Sequence, residues 1–302
     1  MSARRSGPAF VYEDDEIIVA DKPEGLAVIA AGGSRSRSLY DMVTERIQVR
    51  NKKGRAAVVH RLDRDTSGIV LFARNARMKT ILMGSWNELV KLRRYVAVVE
   101  GAPSPAEGVM EHWLLEATVG RVSVVPAGTR GALKAVTAYR TLRTGDAFSL
   151  LELELETGRK HQIRAQLAAL GHPVAGDGRY GSRADPAGRL CLHAALLELQ
   201  LPYGDRSTRR FESPVPDCFL DAIRSPGGTG TRRQPPPRTA EPVAEARPRD
   251  GIRGRRRGPP PDGFIPGAGM GARKKSRKAR PEGRNAPPGR GNPPRGTKPK
   301  RS

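Results

Sequence analysis

The sequence predicts an α+β domain built on a mixed, mainly antiparallel sheet with helices at its flanks. Short apolar runs typical of strands outnumber the helical patterns, and the connections between them are often short. No repeat recurs at a period of roughly 20 to 50 residues, which argues against solenoids and propellers. We assign the domain to residues 1–225 and expect residues 226–302 to form a disordered basic tail.

Five stretches are predicted as strands. Residues 17–20 and 69–73 are continuous apolar runs, as in strands that are buried on both faces. Residues 95–99 and 136–140 are rich in β-branched and aromatic residues. Residues 151–156 alternate Leu with Glu, which predicts a strand with one dry and one wet face.

Three helices are predicted from caps and apolar spacing. Ser38 and Asp41 form a capping box, Asn75 can cap a second helix, and a third begins near Lys160, directly after the alternating strand. The residues expected to be buried are Leu39, Met42, Val43 and Ile47 in the first helix, Met78, Ile81, Leu82 and Trp86 in the second, and Ile163, Leu167 and Leu170 in the third.

Positive charge is concentrated at the C-terminal end. The chain has 54 Lys and Arg against 31 Asp and Glu, a net charge of +23, of which +16 falls in residues 226–302. That tail contains a single aromatic residue, Phe264, and cannot bury enough apolar surface to fold alone. Such charge attracts polyanions, so the phosphate backbone of a nucleic acid is the favoured partner. The simpler alternative is a tail that only increases solubility. A membrane partner is disfavoured because no apolar run is long enough to span a membrane.

Cofactor and metal motifs are not found in the sequence. It has no Gly-rich phosphate loop and no HExxH, and its two cysteines, Cys191 and Cys218, do not have the spacing of metal ligands. The N-terminus lacks the apolar stretch of a signal peptide. We expect a cytoplasmic monomer that uses neither cofactor nor metal.

One polar cluster lies between two apolar strand candidates, His60-Arg61-Leu62-Asp63-Arg64-Asp65-Thr66-Ser67-Gly68. A carboxylate between Arg61 and Arg64 is favoured in its ionised form and is therefore available as a nucleophile or base. Loops of this kind often carry functional sites. From composition alone, a salt-bridged turn is the more frequent explanation.

A second polar cluster, residues 157–164, lies where a strand passes into a helix. His161 and Arg164 are three residues apart and share a helical face. The first turn could bind phosphate while Arg164 points at a buried carboxylate. A capped helix with surface cations explains the pattern equally well.

The segment HRLDRDTSG, residues 60–68, resembles the signature of the RluA family of RNA pseudouridine synthases. Residues 12–28 resemble the family's first motif, with Asp21 where Asn is more usual, and residues 93–101 resemble its strand motif, with Arg93 in place of Lys. ELETGRKHQIRAQLAALGHPVAGDGRYG and LHAALLELQLP follow in the expected order. The resemblance covers residues 11–219.

This resemblance implies the pseudouridine synthase fold, with a catalytic cleft across the sheet, and an isomerase acting on uridines of structured ribosomal or transfer RNA. Asp63 would be the nucleophile, Arg164 would pair with it, and Tyr95 would stack on the flipped uracil and take the last proton. Arg61 would fill the space that the base vacates, and His60, Arg159 and His161 complete the expected set of substrate-binding residues. Because the base must leave its stack, a loop or bulge is the expected target.

Two other functions remain open at this point. A non-catalytic RNA-binding or ribosome-assembly factor would need only the basic tail, although the presence together of Asp63, Tyr95 and Arg164 argues against it. A hydrolase could use Asp63 and Asp65 as an acid–base pair. Residues two apart in an extended loop point in opposite directions, which disfavours the pair.

Overall fold

The computed structural model describes residues 7–30, 36–116 and 120–224. Its strands are β1 (Ala9–Glu13), β2 (Ile17–Lys22), β3 (Ala57–Val58), β4 (Ser67–Ala73), β5 (Val90–Glu100), β6 (Glu107–Glu116), β7 (Val122–Val125), β8 (Leu133–Thr144), β9 (Phe148–Leu155), β10 (Leu192–Gln200) and β11 (Thr208–Glu212). Its helices are α1 (Leu39–Arg50), α2 (Ala76–Gly84), α3 (Trp86–Leu89), α4 (Gln162–Ala169) and α5 (Asp217–Arg224), with a 3₁₀ turn at Gly178–Tyr180. Within these ranges, no helix has the length and apolar character needed to span a membrane.

All described strands belong to one sheet. Its order is β1-β2-β4-β10-β5-β9-β8-β6-β7, with β3 also paired to β4 and β11 to β10. The β4–β10 pair is parallel, whereas the other described pairs are antiparallel. The prediction of a mixed, mainly antiparallel sheet with flanking helices is confirmed.

The five predicted strands lie in β2, β4, β5, β8 and β9. All seven residues of β4 are buried, as expected for a strand that is covered on both faces. In β9, Leu151, Leu153 and Leu155 are buried while Glu154 is exposed. The leucine–glutamate alternation therefore separates a dry face from a wet one, as predicted.

Both predicted N-terminal caps are present. The Ser38 hydroxyl accepts from the Asp41 backbone N–H, and the Asp41 carboxylate accepts from the Ser38 backbone N–H at 2.8 Å. The Asn75 side chain accepts from the Met78 backbone N–H at 2.8 Å. These bonds satisfy N–H groups that have no partner within the helix, and so fix where α1 and α2 begin.

Three details of the helix predictions are wrong. Trp86 does not continue α2, because that helix ends at Gly84 and a separate helix, α3, begins at Trp86. Leu170 lies beyond α4 and is 37% exposed. The helix also starts at Gln162, since His161 adopts a left-handed φ of 52° that cannot continue a right-handed helix.

The core beneath the candidate site joins α4 to the sheet. Ile163 and Leu167 of α4 belong to the same buried cluster as Leu151 and Leu153 of β9 and residues of β5. Burying one such side chain contributes about 1.5–3 kcal/mol. This packing holds α4 in a fixed position against the strands that carry the other site residues.

Residues 226–302, predicted as the basic tail, lie outside the described residues. The domain boundary predicted at residue 225 therefore stays a prediction.

Candidate active site

The loop between β3 and β4 carries Asp63. A turn closes it, with the Thr66 N–H donating to the Asp63 carbonyl at 3.2 Å. Lys22 of β2 is fully buried, and its ammonium group donates to the Arg64 carbonyl at 2.9 Å and to the carbonyls of Pro23 and Leu26. This buried contact fixes the backbone beside Asp63 to the segment that follows β2.

The start of β4 fastens the other side of the same loop. Gly68 has φ +111°, and a Cβ there would overlap the backbone of Ala194 in β10, so only glycine fits. The Ser67 hydroxyl lies 2.8 Å from His193 Nδ1 and accepts from Arg189 Nη2 at 2.7 Å. The Asp63 loop is therefore held at both ends by buried or half-buried contacts.

Gln162 organises the strand-to-helix junction ahead of α4. Its side-chain oxygen accepts from the Arg159 N–H at 2.9 Å and from the Thr157 hydroxyl at 2.8 Å. Its amide nitrogen donates to the Val136 carbonyl and the Thr137 hydroxyl of β8. With the junction tied to β8 in this way, Arg164 points inward from the first turn of α4 and is buried.

Arg164 joins two carboxylates. Its Nη1 donates to Asp63 Oδ2 at 3.0 Å, although the two residues are 101 positions apart in sequence. Its Nε and Nη2 donate to the two oxygens of Asp177 at 2.6 and 2.9 Å. Burial alone would lower the pKa of Arg164, but the hydrogen bonds and charges of Asp177 and Asp63 outweigh it and raise that pKa above its ordinary value. The guanidinium is permanently charged.

His161 is the second side chain near the carboxylate of Asp63. Its Nε2 lies 3.7 Å from Asp63 Oδ2, and its Nδ1 lies 2.9 Å from the Tyr180 hydroxyl. Burial lowers the pKa of His161, and the charges of Arg164 and two nearby cations lower it further against the opposing effect of Asp63. At neutral pH, the imidazole is therefore neutral and acts as a hydrogen-bonding group.

Asp63 and Tyr95 line one pocket. The empty space that it encloses together with its open mouth is about 370 Å³. Its lining comprises Arg61, Leu62, Asp63, Thr66, Tyr95, Leu155, Arg159, His161, Gln162, Ile163, Arg164 and Leu192. Charged groups and apolar walls thus meet in one place, as binding of a polar aromatic ring requires.

Tyr95 of β5 is half-buried in this pocket. Burial raises the pKa of its hydroxyl to about 12, with the charge of Arg93 opposing the increase and that of Asp63 adding to it. The side chain is therefore a neutral phenol at physiological pH. Its ring is available at the pocket wall, so Tyr95 is not simply packed in the core.

Six of the seven predicted site residues line the pocket, and His60 does not. Its Nε2 accepts from the Leu71 backbone N–H at 2.9 Å, and its ring lies 5.0 Å from that of Trp86. Burial, with a smaller effect of Arg93, lowers the pKa of His60 to about 3. The acceptor nitrogen of His60 is bonded to β4 and its ring lies beside Trp86 of α3, so His60 lies outside the pocket lining and its substrate-binding role stays a prediction.

Two simpler interpretations of the polar clusters do not fit the geometry. Arg164 is buried and bonded to two carboxylates, so α4 is not merely a capped helix with surface cations. Asp65 pairs with Arg64 at 3.0 Å and does not line the pocket, so it cannot act there as the partner of Asp63.

Sequence reasoning missed Asp177 and Tyr180 as parts of the site. Both follow β-bridge residue Val174 in a loop rich in glycine, and nothing in their local pattern marks them as buried. The Arg164 guanidinium carbon lies 5.0 Å from the centroid of the Tyr180 ring. One signal could have found Asp177. A buried arginine needs acceptors for all of its N–H groups, and one carboxylate does not provide enough of them.

No group of three or more His, Cys, Asp or Glu in the described ranges is arranged to hold a metal ion.

Comparison with known proteins assigns the chain to a family. The sequence profile of the RNA pseudouridylate synthase family matches residues 16–169, slightly more than half of the chain. The chain belongs to this family. Family membership sets the reaction class, an isomerisation of uridine to pseudouridine in RNA.

Relatives among the pseudouridine synthases agree. Ribosomal large subunit pseudouridine synthase D of Nitrosomonas europaea is 35% identical over 228 residues, which cover 72% of this chain and 65% of that relative. The chain thus spans just under two thirds of that protein's length. The uncharacterised RNA pseudouridine synthase YjbO of Bacillus subtilis is also 35% identical, over 71% of this chain and 75% of its own length.

Solved structures share the pseudouridine synthase fold. The human RNA pseudouridylate synthase domain containing 4 matches with a TM-score of 0.60 at 23% identity, covering 72% of this chain and 93% of that one. The human RNA pseudouridylate synthase domain containing 1 matches with a TM-score of 0.55 at 24% identity, covering 73% and 96%. At these identities, the two matches establish the fold alone.

Proposed function

We propose that this chain converts uridine to pseudouridine in ribosomal RNA, with Asp63 as the nucleophile acting on a flipped-out nucleotide. The observation that carries the proposal is the 3.0 Å pair between Asp63 and Arg164 at the wall of a pocket that also contains Tyr95. A permanently charged guanidinium keeps an ionised carboxylate in a defined orientation. The names of several relatives refer to the large ribosomal subunit, which favours ribosomal over transfer RNA.

The reaction breaks the bond from ribose to a uracil nitrogen and forms one from the same ribose carbon to a uracil carbon. The uracil carbon loses one proton and the freed uracil nitrogen gains one, so no outside reactant is consumed. Asp63 can add to the ribose, add to the uracil ring, or deprotonate the sugar, and each route requires the same ionised carboxylate. The Arg164 pair supports all three.

Tyr95 supplies the proposed platform for the detached uracil. Its ring can stack on the base, and its oxygen is the candidate acceptor for the last proton. Because the pKa of Tyr95 is raised to about 12, the phenol form dominates. Its hydroxyl would pass its own proton to the freed uracil nitrogen as its oxygen takes the proton from the uracil carbon, so no proton is left over. Arg61 is exposed at the rim of the same pocket and is the candidate to fill the stack after flipping. Arg159 and His161 also line this pocket and would contact the nucleotide itself.

Tritium release tests the proposal. Transcripts of large-subunit ribosomal RNA and of transfer RNA, labelled at the uracil carbon that loses its proton, are incubated with wild type, Asp63→Asn and Asp65→Asn. We expect release by wild type and Asp65→Asn, and none by Asp63→Asn, since Asp65 lies on the same loop but outside the pocket. Equal release by all three proteins, or none by wild type from either RNA, would sink the assignment. Release from transfer RNA alone would show that the substrate is transfer RNA and not ribosomal RNA.

The division of the chain into a catalytic domain, residues 1–225, and an RNA-binding tail, residues 226–302, is also a proposal. It rests on the charge of +16 in the tail. A chain ending at residue 225 is expected to bind RNA more weakly and with a shallower salt dependence, while its kcat changes little. An unchanged salt slope would contradict it. Work on ribosomal RNA would take place in the cytoplasm, the location we propose.

A further inference from the structure

The Tyr180 side chain connects the pocket to the protein surface. Its ring centroid lies 5.0 Å from the guanidinium carbon of Arg164 and 5.5 Å from that of Arg121. The Val122 backbone N–H donates to its hydroxyl at 3.0 Å, which ties the 3₁₀ turn to the start of β7. The buried guanidinium that faces Asp63 is thus only one ring away from an exposed arginine.

Three exposed cations lie at or next to Gly120, namely Arg121, Lys160 and Arg179, which we call the cationic edge. Arg179 Nη1 donates to the Gly120 carbonyl at 3.4 Å, next to Arg121 in sequence, and Lys160 pairs with Glu116 at the end of β6. The charges of Lys160 and Arg179 both act on His161, which lines the pocket. The cationic edge therefore adjoins the pocket.

Little negative charge balances these cations within the part of the chain that the structure describes. No described carboxylate lies within 4.0 Å of the guanidinium groups of Arg121 or Arg179. The Lys160–Glu116 pair is solvent-exposed, with 39% and 48% of its side chains accessible. Exposed pairs of this kind contribute about 0–1 kcal/mol and exchange readily for another anion.

We propose that the cationic edge binds backbone phosphates of the RNA next to the target uridine, a role that rests on the proposed function. Guanidinium groups match phosphate geometry with two parallel hydrogen bonds, and Lys160 would exchange Glu116 for a phosphate. Contacts to phosphate fix the position of a nucleic acid without reading its bases. The edge thus holds the strand in register while the pocket takes the extruded base.

Opposite charge changes give the sharpest test. Arg121→Gln and Arg179→Gln each remove one cation, whereas Glu116→Gln removes the anion that competes with phosphate for Lys160. Arg77→Gln is the matched control. Arg77 of α2 is an exposed cation paired with Glu16, and it does not line the pocket. The probe is a labelled RNA hairpin with a uridine in its loop, and Kd of the full chain is measured over a series of KCl concentrations.

We expect Arg121→Gln and Arg179→Gln each to raise Kd and to reduce the slope of log Kd against log salt by about one. Glu116→Gln is expected to lower Kd, and Arg77→Gln to leave Kd and slope as in wild type. The same shifts should occur with cytidine in place of the loop uridine, because phosphates carry no sequence information. Thermal unfolding midpoints within a few degrees of wild type show that each variant is folded.

Unchanged slopes in both arginine variants would overturn the proposal, and so would a shift of equal size in Arg77→Gln or a weaker complex in Glu116→Gln. Failure of the edge is distinguishable from failure of the proposed function. Asp63→Asn is expected to keep the wild-type salt slope while releasing no tritium. A wild type that releases no tritium, but whose slope responds to the edge variants, would refute the activity and leave the edge as an RNA-binding surface.

Discussion

Asp177 holds Arg164 by two hydrogen bonds, of 2.6 Å from Nε and 2.9 Å from Nη2, and both residues are buried. This leaves Nη1 to donate to Asp63 at 3.0 Å. A guanidinium bound along one edge cannot rotate without breaking both bonds. The direction of the group that faces Asp63 is therefore set by a residue that does not line the pocket.

Replacing Asp177 with Asn should lower both stability and kcat. Asn offers one acceptor where Asp offers two, so one N–H of Arg164 loses its partner in a buried site. We expect the free energy of unfolding to fall by about 3 kcal/mol, the lower end for breaking a buried pair. Misplacement of Arg164 should lower kcat by on the order of 10²-fold. Urea denaturation and tritium release measure the two effects, and wild-type kcat in a folded Asp177→Asn protein would contradict this role.

The Tyr95 hydroxyl is expected to matter for chemistry and its ring for holding the base. Tyr95→Phe keeps the ring, so RNA affinity should stay near wild type while kcat falls by roughly 10²-fold or more, the usual contribution of a general acid or base. Tyr95→Leu also removes the stacking surface and should weaken binding of the flipped nucleotide. Steady-state tritium release gives kcat, and fluorescence anisotropy gives Kd. A Phe variant as fast as wild type would assign the last proton to another group.

Local sequence patterns predicted those parts of the fold that local contacts determine. The capping box at Ser38 and the Asn75 cap satisfy N–H groups within three residues, so they are readable from neighbours alone. The β9 alternation reflects burial on one face and is equally local. The left-handed backbone of His161 has no local signal, and it lies in a junction whose Gln162 side chain bonds to β8, 25 residues away in sequence.

The candidate site shows the same division. Asp63 stood out because a dense polar loop interrupts two apolar runs, and the resemblance to a known family supplied its partner Arg164. Asp177 escaped notice because a lone acid among glycines has the pattern of a surface turn. His60 was grouped with the binding residues because it is polar and adjacent, whereas its ring turns toward Trp86 and the backbone of β4. Tertiary packing sets the direction in which a side chain points, and a local sequence pattern does not show that direction.

His60 predicts part of the acid sensitivity of the fold. Its pKa is lowered from 6.5 to about 3 by burial, so the unfolded chain binds the proton more readily between these values. The stability contributed by neutral His60 is complete above about pH 6.5 and is lost as pH falls toward 3. His60→Gln retains an acceptor for the Leu71 N–H but does not titrate. We expect its free energy of unfolding, from urea titrations at several pH values, to fall less steeply in acid than that of wild type, and equal slopes would contradict this.

Lys22 should contribute strongly to stability without touching the pocket. Its buried ammonium donates to three carbonyls at 2.8–2.9 Å, those of Pro23, Leu26 and Arg64. Lys22→Met keeps most of the volume but leaves these acceptors unpaired, at about 1–3 kcal/mol for each one that water cannot reach.

We therefore expect Lys22→Met to lower the free energy of unfolding by about 3 kcal/mol or more. The kcat should also fall, because the Arg64 carbonyl belongs to the residue after Asp63 and its release loosens the loop that carries the nucleophile. Lys79→Met, at an exposed position on α2, is the matched control and should stay within about 0.5 kcal/mol of wild type. Similar urea midpoints for the two variants would show that the carbonyls find other partners, and would remove Lys22 as the anchor of the Asp63 loop.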